Sequence, residues 1–345
     1  MPIPFIIAGV AMAAAGYGAK KGYDAKCDFD DAKCDFDDAE YYNRKAKRIC
    51  EEAQNNLNSS REQTNQQMEL LGALKVNIYR ETLANFVNIF SKIKNIDFED
   101  NLDLGLSIKM YSDKDFLEIK KDVLKTTELI TTAVGSGVLA GIGAFGGAGI
   151  LSTASTGTAI GSLSGVAATN ATLAWFGGGS LATGGLGMAG GMAVLGGIVA
   201  GPVIAVAGGM MAAKAETAKY EADTAKYEAE ENLNKSKAYV EEMEIKKIVV
   251  EEIDTRVTEF INVLEPLKDE FKNYIDVLEN IVDNSKDYSV YSEEDKKAVM
   301  VTVSIATTVK NICDVPIIDE NGEITKKSKR ALKTAKDFVL KLEEV

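Results

Sequence analysis

Apolar residues recur every three or four positions along most of this chain, and one long stretch abandons that rhythm. Met68, Leu71, Leu74 and Ile78, then Leu83, Phe86, Phe90 and Ile93, mark one helix face. From about Ser112, the residues Phe116, Ile119, Val123 and Ile130 mark another. The longest series is Val250, Ile253, Val257, Phe260, Leu264, Leu267, Phe271, Tyr274 and Leu278, continuing to Ile281. Its unbroken 3-4 spacing predicts the seam of a long antiparallel hairpin or of a coiled coil, or the core face of an intramolecular bundle. Pro266 lies off that seam and is expected only to bend it. Ala298, Val301, Ile305 and Ile312 mark a helix from about Glu293. A turn at Pro316–Gly322 and a last amphipathic helix, Lys326–Leu342, follow. Between residues 51 and 67 the chain is polar, as an exposed helical arm would be. With few alternating runs and 5 Pro, the pattern predicts an all-α protein, an elongated helical bundle or coiled coil.

The interruption runs from Leu129 to Ala213 and contains no Asp, Glu, Lys or Arg. It holds 23 of the 30 Gly. Loops and surfaces of water-facing domains carry charge, so such a run needs an explanation. A bilayer supplies one, because an ionised group there costs several kcal/mol. Two pieces, Leu129–Leu151 and Leu186–Ala213, exceed the roughly 20 apolar residues that cross a hydrocarbon core. A Ser/Thr/Gly segment between them carries Trp175, the one Trp, so a hydrophobic hairpin with Trp175 near its tip is expected. Gly137 and Gly141, Gly143 and Gly147, Gly187 and Gly191, and Gly197 and Gly201 are each four apart. Small residues at that spacing make flat faces on which helix backbones approach closely. Pro202 predicts a kink in the second piece. The alternative is a Gly/Ala-rich helical hairpin buried inside a bundle. The two coexist if the hairpin is stored until it inserts.

Residues 3–19 are also apolar and precede Lys20 and Lys21. They read as a third membrane helix or interfacial anchor, with a signal segment or a buried helix as the alternatives. Two tandem heptads follow, Asp24–Asp30 and Asp31–Asp37, and a second pair begins at Thr217 and Thr224. The acidic heptads lack a calcium-loop pattern and read as a solvated helix face.

Composition narrows the function classes. The net charge of −13 argues against nucleic acid as a partner and against simple electrostatic docking to anionic lipid, so apolar insertion is expected to do the membrane work. There is no His, hence neither the commonest general base nor the commonest metal ligand. Cys27, Cys34, Cys50 and Cys313 form no CxxC pair and read as free thiols, with no metal site and no cofactor. GxGxxG occurs at Gly141–Gly146 and Gly185–Gly190, but without a preceding strand or a following acid, so nucleotide binding is not expected. Lys120, Lys121 and Lys125 before the uncharged stretch, and Lys214, Lys219 and Lys226 after it, favour both flanks on the cytoplasmic side.

The order long helix, uncharged Gly/Ala-rich hairpin, long helix, over residues 38–286, resembles the α-helical pore-forming toxins. Residues 168–202 also look like a Gly-rich segment of bacterial helical membrane proteins of uncertain function. The toxin resemblance implies an apolar tongue held between bundle helices and released into a membrane. The N-terminal apolar piece departs from that layout.

The expected organisation is an N-terminal apolar helix (1–22), a first bundle part (23–128), the membrane hairpin (129–213), a long coiled-coil helix (214–288) and a C-terminal helical segment (289–345). The expected function is non-enzymatic: membrane insertion, with oligomers packing through a glycine zipper to permeabilise or remodel a membrane. A toxin or phage-defence effector is the expected type. The alternative is a coiled-coil scaffold or signalling protein anchored in the inner membrane. The expected partners are a lipid membrane, further copies of the chain, and a protein bound through the long helices. The expected location is the bacterial inner membrane with the bulk of the chain cytoplasmic, the protein being soluble before it inserts.

Overall fold

The computed structural model describes residues 19–97, 113–131, 136–149, 215–319 and 322–342. They form an all-α fold, as expected. No strand occurs among the described residues, and two isolated bridges, Lys94 with Asp287 and Ile318 with Ile324, join loop segments. In chain order the elements are α1 (Ala19–Asn77), a π-helical segment (Ile78–Leu83), α2 (Ala84–Phe90), α3 (Asp113–Thr131), α4 (Ser136–Gly149), α5 (Ala215–Asn284), a 3-10 turn (Tyr288–Val290), α6 (Glu293–Asp314) and α7 (Lys326–Leu342). The chain divides into two compact units, one of residues 1–59 and 188–247, the other of residues 60–187 and 248–345. The long helices α1 and α5 each contribute to both.

In the first unit, alanine makes the seam. Ala32, Ala39, Ala46 and Ala53 of α1 are buried at strict seven-residue spacing, and Ala222, Ala225 and Ala229 of α5 are buried at 3-4 spacing. Small side chains let two helices run close together. The tandem heptads then engage each other. Lys219 bridges Asp28 at 3.3 Å and Asp31 at 3.0 Å, and one heptad on, Lys226 bridges Asp35 at 2.9 Å and Asp38 at 2.7 Å. Farther along, Tyr239 Oη donates to Gln54 Oε1 at 2.8 Å. The two partners advance together, so the helices are parallel. The antiparallel hairpin expected from the sequence is therefore corrected. A short connection forces antiparallel neighbours, whereas residues 78–214 are enough chain to return to the starting end.

The second unit has a conventional large-residue core. Here too α5 runs parallel to α1 and to α2, which continues it: Thr64 Oγ1 donates to the Val250 carbonyl at 3.4 Å, and the Phe86 and Phe271 rings lie 5.6 Å apart. The π-helical segment inserts one extra residue into the register. After Leu71 and Ile78 the next buried position of that series is Phe86, eight residues on, while Asn85 is exposed. Pro266 is exposed on α5, so the carbonyl it leaves without a donor is on the solvent side and the helix continues to Asn284. α6 is buried almost throughout from Val299 to Cys313. Ser292 caps it, its side chain accepting from the Asp295 amide at 3.0 Å, and Glu293, Glu294 and Asp295 complement the dipole. α7 closes this core with Leu332, Ala335, Phe338 and Leu342. α3 inserts Phe116 against Phe90, at 4.5 Å between centroids, and buries Ile119 and Val123.

The described part of the piece Leu129–Leu151 is not one straight helix. α3 ends at Thr131 and α4 begins at Ser136, and within α4 Gly146 leaves helical geometry at φ 68°. Before that break, residues 136–145 make a helix roughly 15 Å long. Among the described residues no helix is long and apolar enough to cross a membrane.

Candidate functional site

The candidate site is the place where the uncharged stretch begins, and there α4 is held in the second unit by its backbone. Gly143 of α4 lies against the Met68 carbonyl of α1, and Gly72 of α1 lies against the Leu139 carbonyl of α4; a Cβ at either glycine would collide with that carbonyl. The contacts are reciprocal, 68 with 143 and 72 with 139, each four residues apart on its own helix. This is the close approach that small residues permit. Ala140, Ile142 and Ala144 enter the core, and Phe145 packs against it. At Gly146 the chain turns with positive φ, and a Cβ there would lie 2.5 Å from the Asp314 carbonyl.

That turn ends the first part of α4, and three successive carbonyls there accept donors from other elements. Lys75 Nζ donates to the Ile142 carbonyl at 3.4 Å and to the Gly143 carbonyl at 3.0 Å. The Ile317 amide donates to the Ala144 carbonyl at 2.7 Å. Lys75 is 0 % exposed, and its ammonium also lies 5.9 Å from the centre of the Phe260 ring. Burying a cation is unfavourable unless acceptors replace water, and the carbonyls supply them. Burial pulls the Lys75 pKa down to about 8, although Cys313 and Asp314 oppose that shift.

Around Lys75 is a closed polar network. Tyr79, placed by the π-helical segment, donates its hydroxyl to Asp314 Oδ1. Lys310 Nζ donates to Asp314 Oδ2 at 2.7 Å and pairs with Asp122 of α3 at 3.0 Å. Burial pulls the Lys310 pKa down, but the two carboxylates outweigh it and the net shift is upward. Burial and the neighbouring Asp314 push the Tyr79 phenol above its usual range. Cys313 is buried, and desolvation pushes its thiol up to about 12, so near neutral pH it is an inert thiol. The arrangement can hold a backbone. Among the described residues no group of three or more His, Cys, Asp or Glu could hold a metal ion.

Of the residues singled out in sequence, Gly141 and Gly143 are buried in this docking, and Gly137 and Gly147 lie within α4. Trp175, Gly187, Gly191, Gly197, Gly201 and Pro202 lie outside the described residues. Val250, Ile253, Val257, Phe260, Leu264, Leu267, Phe271 and Leu278 are all buried on α5, and Tyr274 is half-buried against the same core. Lys75, Tyr79, Asp314, Gly72 and Gly146 were not legible as a group. Lys75 gives the one hint, a charged residue seven after Met68 on an otherwise apolar helix face. No protein-family model, curated protein or solved structure matches this chain.

Proposed function

We propose that this chain is a non-enzymatic, membrane-inserting helical protein that stores the start of its uncharged stretch in a folded core. The observation that carries the reading is the absence of any charged side chain from Leu129 to Ala213, flanked by strongly charged helices. In water such a run must be covered; in a bilayer it is favoured. The docking of α4 supports storage, because at Gly143 and Gly72 it meets α1 backbone to backbone, while Ala140, Ile142 and Ala144 are sheltered in the core. A helix held on a flat glycine face can exchange that partner for another helix with the same spacing. After release, the glycine faces would pack copies of the chain against one another and permeabilise or remodel the membrane, as a toxin or phage-defence effector does. The membrane would be the bacterial inner membrane.

Dye release from liposomes, with carbonate extraction of the same vesicles, tests the reading. Release, with protein retained after extraction, is expected. Intact vesicles and full extraction of the chain would overturn it. The heptad seam of α5 supports a second reading, an anchored coiled-coil scaffold, which predicts retention after extraction without leakage.

A further inference from the structure

We infer that the solvent-facing side of α3 is a docking surface for a bilayer with anionic headgroups, an inference that rests on the membrane reading above. Leu117 is 61 % exposed and Leu124 is 55 % exposed, seven residues apart and therefore on one face two turns apart. Lys121 lies between them and Lys125 beside them, both exposed, with Lys120 half-exposed at the edge. By helical spacing Glu128 lies on that face and Glu118 at its edge beside Lys125, two acids against the three lysines. Asp122, on the flank, is drawn to Lys310 at 3.0 Å. Among the described residues Lys120, Lys121 and Lys125 have no ion-pair partner.

The opposite side of α3 fixes the helix in place. Phe116 packs on Phe90 and Phe86, and Ile119 and Val123 are buried. Leucine flanked by lysine on a firmly mounted helix is the composition of helices that lie in the membrane interface. In a chain of net charge −13, this locally positive face is where attraction to an anionic surface can act, since such attraction falls off within a Debye length. Its position gives the docking a purpose. α3 ends at Thr131, two residues after the uncharged stretch begins at Leu129, so a bilayer bound there receives that stretch directly. Among the described residues of the other flank, Lys219 and Lys226 are already engaged with Asp28, Asp31, Asp35 and Asp38.

The test is co-sedimentation of the full chain with vesicles of phosphatidylcholine alone or with about 30 % phosphatidylglycerol, at roughly 20 and 500 mM salt. The full chain is expected to bind anionic vesicles about tenfold better at low salt and to lose that preference at high salt. Lys121→Glu with Lys125→Glu should abolish the preference, and Leu117→Ser with Leu124→Ser should weaken binding to both vesicle types. If the charge reversal disturbs the far-ultraviolet circular dichroism, Lys121→Gln with Lys125→Gln replaces it. Equal binding to both vesicle types, or an anionic preference that survives the lysine variants, would overturn the docking surface and leave the insertion reading standing. No binding to either vesicle overturns both, and leaves the α3 face to a protein partner.

Discussion

Lys75 donates its ammonium to the Gly143 carbonyl at 3.0 Å, from a side chain with no exposed surface. A buried cation therefore holds a helix of the long stretch, Leu129–Ala213, that carries no charge. Replacing Lys75→Met removes the ammonium and the donor and leaves a side chain of similar length. We expect unfolding to stay cooperative while amide protection within 136–149 falls about tenfold, equivalent to roughly 1.4 kcal/mol of local stability. Hydrogen exchange read by mass spectrometry measures it, and unchanged protection there would show that Lys75 is not the restraint.

The same contact makes stability depend on pH with a definite sign. Lys75 has a folded pKa of about 8 against 10.5 in the unfolded chain, so between these values the unfolded state binds more protons. The penalty for burying the cation is therefore fully present below pH 8 and fades as pH rises through it. Cys313, with a folded pKa near 12 against 9.0, acts oppositely but only above pH 9. Between pH 8 and 9 the native protein should gain up to roughly 1 kcal/mol relative to Lys75→Met. Urea unfolding of both proteins across that window measures the difference, and parallel curves would refute the assignment.

Gly143→Ala sets two effects against each other. Alanine favours a helix by about 1 kcal/mol over glycine. The added methyl group would meet the Met68 carbonyl, and overpacking costs roughly 1–3 kcal/mol. We expect a net loss in urea unfolding, with Gly72→Ala behaving alike because it meets the Leu139 carbonyl. A stabilised variant would mean that the two helices separate at no cost.

The parallel course of α1 and α5 in the first unit can be tested by cross-linking. Gln54→Cys with Tyr239→Cys, in a background with Cys27 and Cys34 replaced by Ser, should be joined within one chain by a short bifunctional thiol cross-linker, since the native side chains meet at their tips at 2.8 Å. Gln54→Cys with Lys219→Cys should not, because Lys219 pairs with Asp28 and Asp31. The reverse pattern on non-reducing gels would restore the antiparallel hairpin.

The ladder of Lys219 and Lys226 on four aspartates makes a salt-dependent prediction. Asp31 is exposed and the other five groups are half-buried at the surface, so their pairing is screened by ions. Lys219→Ala with Lys226→Ala should lower the melting temperature at low salt and leave it unchanged near 1 M salt. An equal loss at both salt concentrations would assign the effect to packing.

Helices and buried faces were legible because burial along a helix is periodic, and periodicity is a one-dimensional property. The α5 seam from Val250 to Leu278 needs only the spacing of apolar residues. The matching repeats were legible one at a time, but not as partners: Asp28 and Asp35 share a spacing with Lys219 and Lys226, and spacing does not say which helix lies alongside which. It also carries no direction, which is why the parallel course was missed. Lys75 was unreadable because a lysine on a helix is ordinarily at the surface, and only its position under the Ile142 and Gly143 carbonyls makes burial tolerable.

The sequence alone determined that the protein is all-α, where α5 turns its apolar seam, and that Leu129–Ala213 is free of charge. These follow from residue type and spacing, which act locally along the chain. Only the tertiary structure decided that α1 and α5 run parallel, that α4 rests on Gly72 and Gly143, and that Lys75 sits beneath it. Those depend on which backbone atoms approach one another across large sequence separations, and such approaches are set by the packing of the whole core.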